Sequence, residues 1–340
     1  MRAVDLEGSE WGGLLGRCEN ATPFHHPAWV SVLADTYGFR AFGLVSDGET
    51  GAITEGLPVI EIALPPRHKR RWVSLPFTDH CPPLSTGAGV GVDFAHELDN
   101  ARKKADVRQL EVRAPIAGEH TALQLRALRT VLPLGAGEEE VFRTFHSSHR
   151  RSVNRALREK ISVRPAETEA DLADVVYRLH LMNRRRLGVP IQPRRYFRLL
   201  WRRVLEPGLG RLFLAYCGSQ AVAGIVVLRF KRTATYKYSA LDPHARRLRP
   251  NHLLVWRAIQ WSIEGGAEVF DFGRTDIGQE GLRSFKSGWG AHEEDLKYAT
   301  LGDPPSARLR QTPALLGTAI RHSPRFVCRM IGELSYRFAA

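Results

Sequence analysis

The stretch "RRYFRLLWRRVLEPGLGRLFLAYCGSQAVAGIVVLRF", residues 194–230, sets the reading of the whole chain. It opens on a helical pattern carrying Phe197 and Trp201, and a strand begins near Phe213. "CGSQ" then makes a tight turn, and a second strand follows Gly224. The same order recurs upstream in "PAWVSVLADTYGFRAFGLVSDGETGAITEGLPVIEIAL", residues 27–64. There a helix with Trp29 leads to a strand at Phe42, the turn "SDGETG", and a second strand after Gly56. Gly48 and Gly218 are the residues free to take positive φ in the two turns. A helix feeding an antiparallel hairpin, present twice, predicts two copies of one α/β module.

Composition bounds the rest. With 340 residues, 43% hydrophobic and 25% charged, the chain has the size and balance of two globular domains, or one large one. It holds no apolar run of the roughly 18 residues that a membrane span needs. "MRAVDLEGSEWGG" at the start shows no basic region followed by an apolar core, the mark of a secretory signal. Cys18, Cys81, Cys217 and Cys328 lie far apart with no CxxC pair, which argues against zinc and a disulfide framework and for a cytoplasmic setting. Charge is divided unevenly. Residues 1–145 hold 15 Lys and Arg against 19 Asp and Glu, whereas residues 146–340 hold 34 against 17. A basic second half predicts a polyanionic partner.

Several second-half segments carry that charge. "HSSHRRSVNRALREK", residues 146–160, reads as a helix capped by Ser147 or Ser148, with Arg151, Arg155 and Arg158 on one face beside Arg150. His146 and His149 share its first turn, but no third ligand marks a metal site. "TATYKYSALDP", residues 233–243, reads as a strand whose alternation puts Tyr236 and Tyr238 on one face. A loop with Arg246, Arg247 and Arg249, an apolar helix ended by Gly265 and Gly266, and the strand "AEVFDFG" complete a crossover between parallel neighbours. The tail beyond Asp303 is basic and amphipathic. It either packs back on the body or lies on an anionic membrane surface at the inner face.

The loop Asp242–Asn251 sits where acyl-CoA-dependent acetyltransferases of the GNAT type cradle a pyrophosphate, a task that needs glycines for close backbone approach. It has none, which speaks against CoA. "FHSSHRRSVNRALREKISVR" (145–164), "YKYSALDP" (236–243), "RPNHLLVW" (249–256) and above all "FDFGR" (270–274) with "GLRSFKSGWG" (281–290) resemble the Fem-type aminoacyl transferases, including their FemAB-related branch. "LPFTDHCPPL" (75–84) resembles a loop in that family's first domain. The likeness covers most of residues 20–300.

The resemblance implies an α/β (α+β) fold of tandem GNAT-like acyltransferase modules, mixed sheets flanked by helices. The expected division is 1–145, 146–302 with the catalytic motif, and a tail at 303–340. It implies transfer of an amino acid from aminoacyl-tRNA to an amine acceptor, on a peptidoglycan precursor or a small antibiotic intermediate, with no cofactor. The family's Phe-Lys pair matches Phe285 and Lys286. Lys286 would face the oxyanion formed as the amine attacks the ester, and Phe285 would shape the site. Asp271 or Asp276 would take the ammonium proton or cap a turn. Arg274 would meet a phosphate or pair with Asp276. The arginines at 150, 151, 155, 246, 247 and 249, with Tyr236 and Tyr238, make the expected tRNA and substrate surface. Asp79-His80-Cys81 is not read as a thiol nucleophile, because adjacent side chains diverge and Pro82-Pro83 stiffens the loop. Two departures stand out. Leu33 occupies the place where cell-wall members carry a basic residue, and the coiled-coil arm of some members is missing; both weigh against a peptidoglycan acceptor. The rival readings are an acyl-CoA-dependent N-acyltransferase and a non-catalytic protein binding RNA or membrane.

Overall fold

In the computed structural model, residues 1–49, 51–63, 69–135, 137–304 and 314–339 are described. The first half supplies strands β1 (Arg2–Val4), β2 (Arg40–Asp47), β3 (Ile53–Ile62), β4 (Arg71–Val73), β5 (Leu84–Ser85), β6 (Gln109–Val112) and β7 (Thr121–Pro133). Its helices are α1 (Ser9–Arg17), α2 (Pro27–Tyr37), α3 (Phe94–Lys104) and α4 (Glu138–Thr144). The second half supplies β8 (Ile161–Pro165), β9 (Gly210–Cys217), β10 (Gln220–Phe230), β11 (Thr233–Leu241), β12 (Val269–Thr275) and β13 (His292–Gly302). With them run α5 (Ser147–Arg158), α6 (Tyr177–Leu187), α7 (Arg194–Leu200), α8 (Pro250–Glu264) and α9 (Glu280–Ser287). Two helices close the chain, α10 (Ala314–His322) and α11 (Arg325–Ser335).

The helix–hairpin unit is present twice, as α2–β2–β3 and as α7–β9–β10, both hairpins antiparallel. Positive φ falls at Gly218, as expected, and at Gly51 rather than Gly48. The predicted crossover holds too: β11 and β12 are parallel, joined through α8. The architecture is thus mixed α/β with tandem GNAT-like modules, but all the strands belong to one 13-stranded sheet.

Its order explains how the halves are joined. β13, from the second half, pairs antiparallel with β6 and with β7 of the first, and β7 pairs in turn with β12. Apolar side chains follow that exchange. Ala299 and Leu301 of β13 are buried among Trp72, Leu98 and Leu110 of the first half. A second shared layer lies where α2 meets α7. Trp29 and Leu33 are fully buried there in one core with Tyr196, Phe197 and Trp201. Leu33 is therefore a packing position in this core.

The second half has its own core under α5 and α8, and the "GWG" of residues 288–290 belongs to it. Trp289 is fully buried against Phe145 and His149. A side chain at Gly288 would strike the His149 ring at 2.2 Å, and Gly290, at φ +76°, abuts Thr144. The glycines let α5 close over the tryptophan. The cap of α5 is His146, whose Nδ1 accepts from the Ser148 amide, so neither serine serves as the predicted cap.

Because β13, from the second half, completes the core of the first, trimming it weakens that core from a distance of sequence. Leu301→Ala is expected to cost about 2–5 kcal/mol in urea unfolding. An unchanged midpoint would place Leu301 outside that core.

Candidate active site

β11 and β12 pair over only three residues, Thr233–Val269 to Thr235–Asp271, and then part. Two irregularities open the fork. In β11 the register with β10 slips between Val226 and Val227, so that Tyr238 and Tyr236 are the successive partners and Lys237 is the extra residue of a bulge. In β12 the register with β7 shifts between Asp271 and Arg274, and Gly273 lies there at φ +69°.

The bulge corrects one expectation. Tyr236 and Tyr238 do not share a face, because the extra residue between them breaks the period of two. Tyr236 packs on Phe272 in the second-half core. Tyr238 turns to the other side, where its hydroxyl lies 2.8 Å from that of Tyr196.

A loop from the first half stands at the fork. Leu75 and Phe77 hold left-handed conformations, at φ 64° and 59°, a strain that the surroundings must support. Three successive carbonyls are held by donors from elsewhere. Lys237 Nζ donates to Phe77 O at 2.8 Å, Arg113 to Thr78 O at 2.6 Å, and the Tyr298 hydroxyl to Asp79 O at 2.6 Å. Trp29 Nε1 adds a bond to the Thr78 hydroxyl at 3.0 Å. These bonds set the half-buried Asp79 against Gly273, where a Cβ would come within 2.8 Å of its Oδ2.

Lys286 reaches the same place from α9. It is 4% exposed, and Nζ donates to Gly273 O and Arg274 O, each at 3.0 Å. Burial pulls its pKa down to about 8, against the opposing pull of Asp79, Asp271 and Glu293. It is thus a buried cation just below its titration point, next to a strand break. Lys237, half-buried, is a second cation at the fork. Burial lowers its pKa as well, and it rests over the rings of Trp29, Phe24 and Tyr238 at 4.9, 5.2 and 5.5 Å.

The other expected residues fall into three groups. Asp271 has both carboxylate oxygens engaged, by Arg129 Nε at 2.8 Å and by the Gly273 amide at 2.7 Å. Arg274 is exposed and pairs with Asp276 at 2.8 Å. Phe285, the neighbour of Lys286 on α9, turns its ring away among His149, His252 and Trp289.

The arginines gather at one end of the second half. The His149 and His252 rings touch at 5.0 Å, so the first turns of α5 and α8 lie side by side. Arg150 and Arg151 stand on the first of these turns, while Arg249 precedes the second and Arg246 and Arg247 lie in the turn before it. Arg151, Arg246, Arg247 and Arg249 are exposed; Arg150 donates to Arg143 O, and Arg155 pairs with Glu159. This end abuts α9, through His149 Nε2 and Phe285 O at 2.9 Å. α8 begins without a side-chain cap, and buried polar atoms of Asn251, His252 and Trp289 lack partners there.

Sequence reasoning missed Asp79, Lys237 and Tyr298. The loop holding Asp79 stood out in the sequence, but its partners Lys237 and Tyr298 lie 160 and 219 residues beyond the carbonyls they hold. The thiol of Cys81 is fully buried, with its pKa pushed up by burial, so it offers no nucleophile. Neutral His80, its pKa lowered to about 3 by burial and by Arg129, offers no cation. Among the described residues no cluster of three or more His, Cys, Asp or Glu could hold a metal ion.

The close approach at Gly273 is testable. Gly273→Ala is expected to lose about 1–3 kcal/mol of stability, from positive φ and collision with Asp79. Urea denaturation of the two proteins compares them directly, and equal stability would mean that Asp79 does not press on this turn.

Comparison with known proteins bears on the fold. Residues 143–291 match the family described as an acetyltransferase (GNAT) domain. No curated protein sequence matches the chain. Among solved structures, FemX superposes with a TM-score of 0.69 at 14% identity, covering 88% of this chain and 97% of that one. L-PGS from Bacillus licheniformis gives 0.53 at 12%, over 93% and 97%. A tandem GNAT protein from the clavulanic acid biosynthesis pathway gives 0.52 at 12%, over 89% and 98%. At these identities the likeness is one of fold: the chain has a GNAT-type acyltransferase fold in tandem arrangement.

Proposed function

We propose that this chain is an acyltransferase that moves an aminoacyl group from aminoacyl-tRNA to an amine, with Lys286 as the oxyanion-stabilising cation. The observation that carries the reading is the buried Lys286 ammonium, fixed by two carbonyls at the fork between β11 and β12. An aminoacyl ester is already activated, so the amine can attack it without an enzyme nucleophile. The lone pair of the neutral amine forms the C–N bond as the carbonyl oxygen gains negative charge; the nitrogen, now an ammonium, gives up a proton, and the C–O bond breaks as the ribose oxygen leaves with a proton. A fixed cation beside that oxygen is worth roughly 3 kcal/mol. Asp79, half-buried at the same fork, is better disposed to take the proton than Asp271, whose oxygens are both occupied.

The preference for tRNA over CoA rests on the arginine-bearing, glycine-free turn before α8 and on the basic end beside α9. Such a surface holds phosphates by guanidinium contacts, which makes binding fall steeply with salt. A second reading, with acyl-CoA as donor, draws on the uncapped start of α8, where partnerless buried polar atoms offer a place for phosphate. The protein would work without a cofactor and in the cytoplasm, on a small-molecule or peptide amine.

The test charges total tRNA with labelled amino acids and follows label into an RNase-resistant, acid-soluble amide by mass spectrometry. Loss of product when the tRNA is digested first supports tRNA as donor; acetyl-CoA consumption instead supports the second reading. Lys286→Ala is expected to cut turnover by about 10²-fold or more with tRNA binding little changed. Unaltered turnover would remove this role.

The rate also carries a pH signature. Lys286 is the cation below its pKa of about 8 and loses the proton as pH rises through it. Turnover is therefore expected to fall above pH 8, and Lys286→Arg should move that alkaline limb upward, since guanidinium stays charged. An unmoved limb would assign it to another group.

A further inference from the structure

The tail packs back on the body, but by only one of its faces. On α11, Cys328 and Gly332 are buried, and a Cβ at Gly332 would lie 2.0 Å from Ile191 O. Tyr336, just beyond the helix, is buried as well. The opposite side carries Phe326, Met330 and Leu334, which are 61%, 55% and 71% exposed, followed by Phe338 at 43%. Spaced by four, these make a continuous apolar ridge on the outside of the molecule. Arg325, Arg329 and Arg337 each stand one residue before a ridge member. Glu333, the one acid of α11, is already engaged by the Arg194 amide at 3.0 Å.

Beside α11 opens a cavity of about 490 Å³, whose lining includes Asp174, Tyr177, Arg178, Leu181, Arg194 and Arg329. Asp174 is neutralised by Arg194 at 2.5 Å. No described carboxylate pairs with Arg178 or Arg329. The Tyr177 hydroxyl is buried without a hydrogen-bond partner, as is Arg194 Nε. Burial pushes Tyr177 up to about 12, so the hydroxyl remains a donor at neutral pH. The cavity thus offers the positive charge of Arg178 and Arg329, and it shares Arg329 with the flank of the ridge.

We propose that α11 docks the protein on an anionic bilayer, with its apolar ridge in the acyl boundary and one phospholipid phosphate in the adjoining cavity, met by Arg178 and Arg329. Each half of the feature answers to a different part of the lipid, and together they match the signature of an interfacial helix. RNA would use the arginines but not the ridge. A second copy would bury the ridge only by facing one row of arginines with another. The proposal is independent of Lys286 and of the donor.

The experiment is co-sedimentation of the full chain with vesicles of phosphatidylglycerol in phosphatidylcholine, and with phosphatidylcholine alone. Binding to the first and little to the second is expected. Phe326→Ser with Leu334→Ser should weaken the partition by about tenfold or more, and Arg178→Gln with Arg329→Gln should weaken it for anionic vesicles. These positions are exposed, and circular dichroism checks that the variants are folded. Lys286→Ala should bind as the native chain does, which separates this proposal from the reading of the active site. Equal partition to both vesicles, or no effect of the ridge variant, would overturn it. So would self-association without lipid that the ridge variant abolishes, since that would assign the ridge to a second copy.

Discussion

The antiparallel pairing of β13 with β7 and β6 is the constraint on which the rest depends. It inserts a strand from the second half between two strands of the first, and it makes one sheet of two modules. Because β7 then pairs with β12, the strand that carries Asp271 and Gly273 is held from the other half of the chain. Tyr298, which fixes the Asp79 carbonyl, lies on β13 itself. The fork, the loop that stands at it and the lysine that reaches it are therefore registered to each other by a single set of ladder hydrogen bonds. Such a registry places charges to within a fraction of an ångström, which oxyanion stabilisation demands.

That site concentrates unfavourable features. Lys286 is buried and Lys237 half-buried, two non-glycine residues of one loop sit at positive φ, and both strands of the fork are irregular. None of these helps folding. Each is offset by neighbours: carbonyls and carboxylates around Lys286, aromatic faces around Lys237, and donors to the three loop carbonyls. Strain gathered at one spot and supported from both modules is the pattern expected where the fold serves chemistry.

Periodicity carried much of the architecture. The helix–hairpin repeat, the crossover and the strand at Phe270 all rest on local patterns of apolar residues, which a sequence displays directly. Local reasoning failed wherever a distant partner decides the outcome. Alternation put Tyr236 and Tyr238 on one face, but the inserted Lys237 breaks the alternation to satisfy Phe77, 160 residues earlier. Ser147 and Ser148 are ordinary cap residues, yet His146 takes that place. Lys286 was legible only through a resemblance, since nothing in "SFKSG" says that the side chain turns inward. Asp79 was visible as a charge in a proline-stiffened loop, but its neighbours at Gly273 and Tyr298 were not.

Tyr336 carries a consequence for handling the protein. Its ring stacks on Tyr37 with centroids 6.1 Å apart and lies 5.1 Å from the ring of Phe77, the residue whose carbonyl Lys237 holds. The residue that follows α11 is thus a wall of the loop that presents Asp79. A truncation before residue 336 removes an aromatic neighbour from a loop already in a strained conformation. Forms cut before Tyr336 are consequently different proteins at the fork, and kinetics taken from them describe a site with one wall missing.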